Sequence, residues 1–173
     1  MNFFWSDPHL GHFNVIKYCN RPFLTTKEMD AVIIEKYNRR VKKTDTVYCL
    51  GDFCFKSCAE APEGHPFEFY RNQLNGEIVF IKGNHDKSNG FRPILQNGVI
   101  EYGGERIFMV HKPEHANLNY KINLVGHVHD AWKIKKVENT LLVNVGVDQW
   151  NFEPITIHQI LKSIAKWKRE NKV

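Results

Sequence analysis

Residues 121–129 read Lys-Ile-Asn-Leu-Val-Gly-His-Val-His, an apolar run of strand-forming residues that stops at a glycine and two histidines. The same pattern, an apolar run followed by Asp, Asn or His, recurs in the clusters Asp7-Pro8-His9, Gly51-Asp52, Gly83-Asn84-His85-Asp86, His111 and Gly126-His127-Val128-His129. The carboxyl ends of parallel strands meet at one edge of a sheet, where open sheets bind ligands. The pattern therefore predicts an α/β fold with a polar site at its strand ends.

Outward from these clusters, the apolar runs indicate the order of the elements. Runs rich in β-branched and aromatic residues predict strands at 2–6, 46–50, 78–82, 106–110, 121–125 and 140–145, with a further pair at 99–102 and 132–137. Three segments have helical features: 25–41, which opens with the capping-box pattern Thr-x-x-Glu, 66–75 and 157–167. Segment 51–66 lacks periodicity and is predicted to be a loop beside the site.

The composition is that of an ordinary globular protein, with 42% hydrophobic and 25% charged residues among 173. We found no repeat, linker or composition shift, so the expectation is a single domain over residues 1–173. The N-terminal apolar run lacks the basic flank of a signal peptide, and no run approaches the roughly 20 residues of a membrane helix. Four cysteines without a Cys-x-x-Cys pair fit a reducing compartment, so we expect a cytoplasmic protein without a membrane partner.

The residue types in the clusters suit a pair of metal ions. Two divalent cations held about 3.5–4 Å apart need a shared anionic ligand, and Asp52 is the natural bridge. Neutral imidazole and amide ligands would fill the remaining positions without adding negative charge: His9, Asn84, His111, His127 and His129. Each cluster alone is also ordinary turn chemistry. However, five of the nine histidines fall inside the clusters, which favours the metal site.

Together, the clusters resemble the signature of the calcineurin-like metallophosphoesterase superfamily, in the order of that family, from residue 7 to residue 129. The opening residues 4–16 and Arg21-Pro22-Phe23 are similar to a small single-domain branch found in bacteria and phages. The resemblance implies a four-layer α-β-β-α sandwich of two mixed sheets, with a dinuclear metal site at the strand ends.

The resemblance also implies roles for individual residues. One metal would have four ligands, Asp7, His9, Asp52 and His129. The other would share Asp52 and add Asn84, His111 and His127. His85 would lie over the substrate phosphate as the general acid, oriented by Asp86, while a hydroxide between the metals attacks phosphorus in line. The ligands suit manganese, iron, nickel or zinc, and manganese is favoured.

Several positions keep an alternative. Lys112-Pro113 follows His111 where many family members have Gly-His, so His115 is the second candidate for that ligand. His12 and Arg21 are candidate contacts of the substrate phosphate, but His12 equally fits a supporting role behind the ligands and Arg21 a structural one. Cys54 and Cys58 flank the loop after Asp52 and are weaker candidates for metal binding.

The function implied is hydrolysis of phosphomonoesters or phosphodiesters, with nucleotides as candidate substrates and without an obligate protein partner. A net charge of +5 permits a polyanionic substrate but does not require one. The alternatives are a nuclease or cyclic-nucleotide phosphodiesterase, and, in another class, an inactive binding scaffold of the kind found in the retromer subunit of this fold. The complete ligand set and His85 favour the enzyme.

Overall fold

Two mixed sheets and four helices form the fold of residues 1–56 and 65–172, the part of the chain that the computed structural model describes. The strands are β1 Asn2–Trp5, β2 Thr46–Cys49, β3 Glu77–Phe80, β4 Asn97–Tyr102, β5 Glu105–Val110, β6 Ile122–Val125, β7 Ile134–Val137, β8 Thr140–Asn144 and β9 Ile155–Thr156. The helices are α1 Phe13–Tyr18, α2 Thr26–Arg40, α3 Pro66–Arg71 and α4 Ile157–Asn171. The predicted α/β sandwich of two mixed sheets is thus confirmed.

The order of the strands brings their carboxyl ends together. In the first sheet, β3-β2-β1-β9, the strands β1, β2 and β3 are parallel and β9 is antiparallel to β1. In the second sheet, β4-β5-β6-β8-β7, the strands β5, β6 and β8 are parallel and the two edge strands are antiparallel. A bridge between Ser6 and Gly146 joins the end of β1 to the end of β8. The ends of the parallel strands in both sheets therefore meet in one region.

Alternation along the strands divides the core into layers. Phe3 and Trp5 face helices α1, α2 and α3, whereas Phe4 between them packs with residues of the second sheet. This inter-sheet core also receives the apolar face of α4, through Ile160 and Ile164. The other face of the second sheet carries a smaller cluster of Phe108, Val110, Val125 and Leu142. Because successive side chains of a strand point to opposite faces, neighbouring residues of one strand belong to different layers of the core.

The predicted start of α2 is confirmed by its N-cap. Thr25 accepts a hydrogen bond from the backbone N–H of Glu28 at 3.1 Å, and the Glu28 carboxylate accepts from the N–H of Leu24 at 2.8 Å. Helix α4 has a complete capping box between Thr156 and Gln159, which the sequence prediction missed. Both N-termini therefore have satisfied backbone donors.

Other predictions differ from the structure in detail. Helix α3 ends at Arg71 instead of residue 75, and α1 and β9 were not predicted. Six residues of helix and two of strand are too short to show a hydrophobic period. Part of the predicted 51–66 loop, with Cys58, lies outside the described residues. No helix among the described residues is both long and apolar enough to cross a membrane.

Candidate metal centre

The predicted site residues follow the parallel strands. Those on the first sheet are Asp7 and His9 after β1, Asp52 after β2, and Asn84, His85 and Asp86 after β3. Those on the second sheet are His111 after β5, and His127 and His129 after β6. The backbone N–H of His127 donates to Asp7 Oδ2 at 2.9 Å, which ties the two sets of loops directly to each other. The sheets therefore bring residues more than a hundred positions apart into one centre.

Left-handed backbone is concentrated at this centre. Five residues proposed as ligands have φ between 44° and 69°: Asp7, His9, Asp52, His127 and His129. Non-glycine residues rarely adopt this conformation, and it persists only where the surrounding structure imposes it. At each of these residues the chain turns out of the extended conformation, and the side chain lies in the centre.

A first cluster of candidate ligands contains Asp7, His9 and His129, whose donor atoms lie within 4.8 Å of one another. Ser6 Oγ donates to Asp7 Oδ2 at 2.6 Å, so that this oxygen is satisfied. In contrast, Asp7 Oδ1 and His9 Nε2 are buried and have no hydrogen-bond partner. They lie 3.9 Å apart, too far for a hydrogen bond to each other.

A second cluster contains Asp52, His111 and His127, again within 4.8 Å. His111 donates from Nδ1 to the carbonyl of Leu50 at 2.7 Å, and its Nε2 lies 2.8 Å from Asn84 Oδ1. The carboxylate of Asp52 lies between the clusters, with Oδ2 3.6 Å from His9 Nε2 and 3.4 Å from His111 Nε2. This is the position that a bridging ligand requires.

The donor atoms fit divalent metal ions. A cation between Asp7 Oδ1 and His9 Nε2 would satisfy two buried polar atoms that otherwise cost free energy. Carboxylate, imidazole and amide groups are the ligands that manganese, iron, nickel and zinc accept. The residues present are therefore suited to the metal pair that the sequence predicts.

Electrostatics in the centre favour bound cations. Burial lowers the pKa of His111, but the carboxylates of Asp7 and Asp52 outweigh it and raise that pKa to about 9. The pKa of His9 is held well below its ordinary value, first by burial. Burial raises the pKa of Asp52, but its bonds to His111 outweigh this effect and the net shift is downward. Asp52 is therefore an anion that attracts positive charge to the space between the clusters.

Glycine is required where the loops approach each other. A Cβ at Gly126 would collide with the side chains of Ser6 and Asp7, and one at Gly83 would collide with Asp52. The glycines that precede His127 and Asn84 therefore allow the loops that carry the candidate ligands to touch.

His85, the predicted acid, lines a cleft of 390 Å³ together with His9, His12 and Asp52. Its ring is exposed, with its centroid 6.0 Å from that of His9. Its backbone N–H donates to Asp52 Oδ1 at 2.9 Å, which fixes the residue next to the candidate bridge.

The prediction that Asp86 orients His85 is corrected by the hydrogen bonds of its carboxylate. Asp86 is buried and accepts from the backbone N–H groups of Gly83 at 2.6 Å and Phe53 at 3.1 Å. The turn over 83–86 directs this side chain back toward the chain, away from the cleft. Asp86 thus holds the loops after β2 and β3 together and does not contact the His85 ring.

Of the two interpretations of Arg21, the structure favours the structural one. The guanidinium is buried and donates to the carbonyls of Asp7 and Pro8, each at 2.8 Å. It also pairs with both carboxylate oxygens of Asp148, at 2.8 and 3.0 Å. Its donors support the turn over residues 7–9 and do not face the cleft. His12, in contrast, lines the cleft, and its ring stacks on that of Phe55 with the two centroids 4.4 Å apart.

Asp148 contacts His129, one of the candidate ligands. Its Oδ2 lies 2.9 Å from His129 Nδ1, which leaves Nε2 of that ring for the first cluster. Asn144 and Gln149 both donate to the carbonyl of His129, at 2.8 and 3.0 Å. Asp148 comes shortly after the end of β8, and this position after a strand is the signal that the sequence offers.

The remaining candidates lie apart from the clusters. His115 is exposed in a short turn over 113–115, and among the described residues it belongs to no group of candidate ligands. The prediction that favoured His111 over it is consistent with this placement. Cys54 is buried in the apolar core under the site. Cys19, which was not a candidate, lies beside His129 and Asp148.

Comparison with known proteins gives matches over most of the chain. The family described as the calcineurin-like phosphoesterase superfamily domain matches residues 6–160. An uncharacterised protein of Methanocaldococcus jannaschii, MJ1445, is 37% identical over 170 residues, covering 94% of this chain and 90% of that protein. The crystal structure of AQ665 from Aquifex aeolicus, a protein of unknown function, is similar with a TM-score of 0.70 and 25% identity, over 94% of this chain and 98% of that one.

Proposed function

The chain belongs to the calcineurin-like phosphoesterase superfamily, and from this premise we propose that it hydrolyses phosphate esters at a centre of two divalent metal ions. The position of Asp52 carries this proposal, because its carboxylate faces a candidate ligand of each cluster at 3.6 and 3.4 Å. The unpartnered buried atoms of Asp7 and His9 add independent support.

The residues that would hold the metals are those of the two clusters. Asp7, His9 and His129 would bind one ion, and Asn84, His111 and His127 the other, with Asp52 shared. When bound, two such ions, with manganese as the first candidate, supply Lewis acidity to the phosphoryl oxygens and promote deprotonation of water for in-line attack.

The other groups of the cleft would act on the substrate. An exposed His85 on the cleft wall can hold a proton and pass it to the leaving oxygen. Asn84, next to His85 in the chain, and His12, which lines the same cleft as His85, would contact the phosphoryl group. Asp86 would act as a positioning residue, since its carboxylate holds the backbone of the loop that carries His85.

The experiment that tests the function combines metal analysis with two aryl esters. The metal content of the purified protein is measured by elemental analysis, and hydrolysis of p-nitrophenyl phosphate and bis(p-nitrophenyl) phosphate is measured with added manganese. We expect two metal ions per chain and turnover of at least one ester. A protein that holds two metals and hydrolyses neither ester would support the inactive-scaffold alternative.

Substitution of His85 tests the acid role. In His85→Ala we expect unchanged metal content and a fall in kcat of about 10²–10⁴, the usual contribution of a positioned acid. His65→Ala is the matched control, because His65 is exposed and precedes α3. Full activity in His85→Ala would reject the acid role without affecting the proposed metal centre.

A further inference from the structure

A second cleft, of 340 Å³, opens beside Asn84 and His111. It shares no lining residue with the 390 Å³ cleft that contains His12 and His85. Asn84 lines one cleft and the adjacent His85 lines the other. A phosphoryl group held at these two residues would therefore lie between the two clefts, and one arm of the ester would extend into the second cleft.

The second cleft is cationic. Lys82 and Lys112 line it, together with the amides of Gln96 and Asn97, and no carboxylate is among the described residues of its wall. Lys82 is partly exposed and makes no ion pair with any described residue. Lys112 pairs with the exposed Glu114, with Nζ 3.3 Å from Oε1. We call this site the Lys82–Lys112 cleft.

Local structure places both lysines next to the metal centre. The backbone N–H of Lys82 donates to the carbonyl of Leu95 at 2.8 Å, which ties the end of β3 to the stretch that carries Gln96 and Asn97. Lys112 follows His111 directly, and both residues line the second cleft. The chain thus places a cation next to a candidate metal ligand.

We propose that the Lys82–Lys112 cleft binds a second phosphate group of the substrate, on the ester arm that does not react at the metal centre. This inference rests on the proposed function and adds a substrate class, phosphate esters that carry a further phosphate. Two ammonium groups and neutral amide donors match a dianion, because charge-assisted hydrogen bonds are the strongest that side chains make. The volume is within the usual range of ligand pockets, about 300–1,000 Å³.

The activity test compares two esters that differ only in the second phosphate. The substrates are the p-nitrophenyl ester of thymidine 5′-phosphate, without and with a 3′-phosphate, and the protein is loaded with manganese. We expect kcat/KM to be about tenfold higher for the 3′-phosphorylated ester. This ratio corresponds to about 1.4 kcal/mol of additional binding free energy in the transition state. Equal kcat/KM for the two esters would reject the inference.

Lysine substitutions identify the cleft as the source of the preference. Lys82→Met and Lys112→Met keep the apolar stem and remove the charge, and each should reduce the ratio of the two kcat/KM values several-fold. Lys162→Met is the control of equal charge change, at an exposed position on α4, and should leave the ratio as in wild type. A ratio that survives in both cleft variants would overturn the assignment.

A binding measurement separates this inference from the proposed function. Titration calorimetry of the manganese-loaded protein compares thymidine 3′,5′-bisphosphate with thymidine 5′-phosphate. Tighter binding of the bisphosphate that is lost in Lys82→Met supports the cleft even if neither ester is hydrolysed, in which case only the proposed function fails. Hydrolysis of both esters at equal kcat/KM, with equal affinity for the two nucleotides, would retain the function and reject the cleft.

Discussion

Asp148 connects a buried arginine to a candidate metal ligand. Its carboxylate accepts from Arg21 on one side and lies 2.9 Å from His129 Nδ1 on the other. Burial raises the pKa of Asp148, but these two partners outweigh burial and hold it below its ordinary value. Carboxylates behind metal-binding histidines fix the orientation of the ring and increase its basicity. Asp148 therefore contacts a candidate metal ligand and helps to fix the orientation of its ring.

Asp148→Asn should weaken the site that contains His129. We expect manganese affinity at that site to fall about 10–100-fold, the usual effect of losing such a partner. Titration calorimetry measures the affinity, and thermal unfolding of the metal-free protein measures the separate effect on Arg21. Asp130→Asn is the control, because Asp130 is exposed and lines the same cleft as His129. Unchanged affinity would show that His129 needs no support from Asp148.

At the scale of elements, the loops that follow the parallel strands contact one another in pairs. The loop after β6 touches the loop after β1 through the N–H of His127 and through Gly126, against which Ser6 and Asp7 pack. The loops after β2 and β3 are joined by Asp86. We therefore expect a change in one of these loops to displace a candidate ligand on the loop that it contacts.

Gly126→Ala tests this contact. The added Cβ would collide with buried Ser6 and Asp7, so that one loop must move. We expect a loss of about 1–3 kcal/mol in the free energy of unfolding, typical of an overpacked interior, and weaker manganese binding. Gly98→Ala in β4 is the control, since its Cβ would meet only the flexible ends of Met109 and Ile81. Urea unfolding and calorimetry measure both effects, and equal values for the two variants would contradict the expectation.

At the scale of the whole molecule, ion pairs join parts of the chain that are distant in sequence. Glu153, which precedes β9, accepts from Arg39 at 2.7 Å and from Arg40 at 2.8 Å at the end of α2. Burial raises the pKa of Glu153, but the two arginines outweigh it and lower that pKa below its ordinary value of 4.5. The pair of bonds fastens α2 to the chain that leads into α4.

The contribution of Glu153 to stability should depend on pH. Because its folded-state pKa is lower than its unfolded value, the stabilisation is present above pH 4.5 and is lost as the pH falls through the folded-state value. Glu153→Gln should be less stable than wild type at pH 7 by about 0.5–1 kcal/mol, and the difference should shrink below pH 4.5. Urea unfolding at several pH values, with exposed Glu77→Gln as control, tests this. A difference that does not vary with pH would contradict it.

Prediction from the sequence succeeded where the signal is local. The strands at 46–50 and 121–125 lie within one residue of β2 and β6, because an apolar run and a terminal glycine mark a buried strand and its end. The roles of Asp86 and Arg21 were harder to predict, since the sequence shows their charge and their position in the chain but not their hydrogen-bond partners. The partners of Arg21 include Asp148, 127 positions away.

The amino-acid sequence by itself determined the α/β layering, the strands and the set of Asp, Asn and His residues at their ends, because hydrophobic period and turn residues are properties of neighbouring positions. The tertiary structure alone decided which of these residues face one another. It places Asp52 between the two clusters and gives Asp86 and Arg21 backbone partners in the loops of the site. It also forms a cationic cleft beside Asn84. Such contacts depend on the register and crossing of two sheets, which residue spacing does not encode.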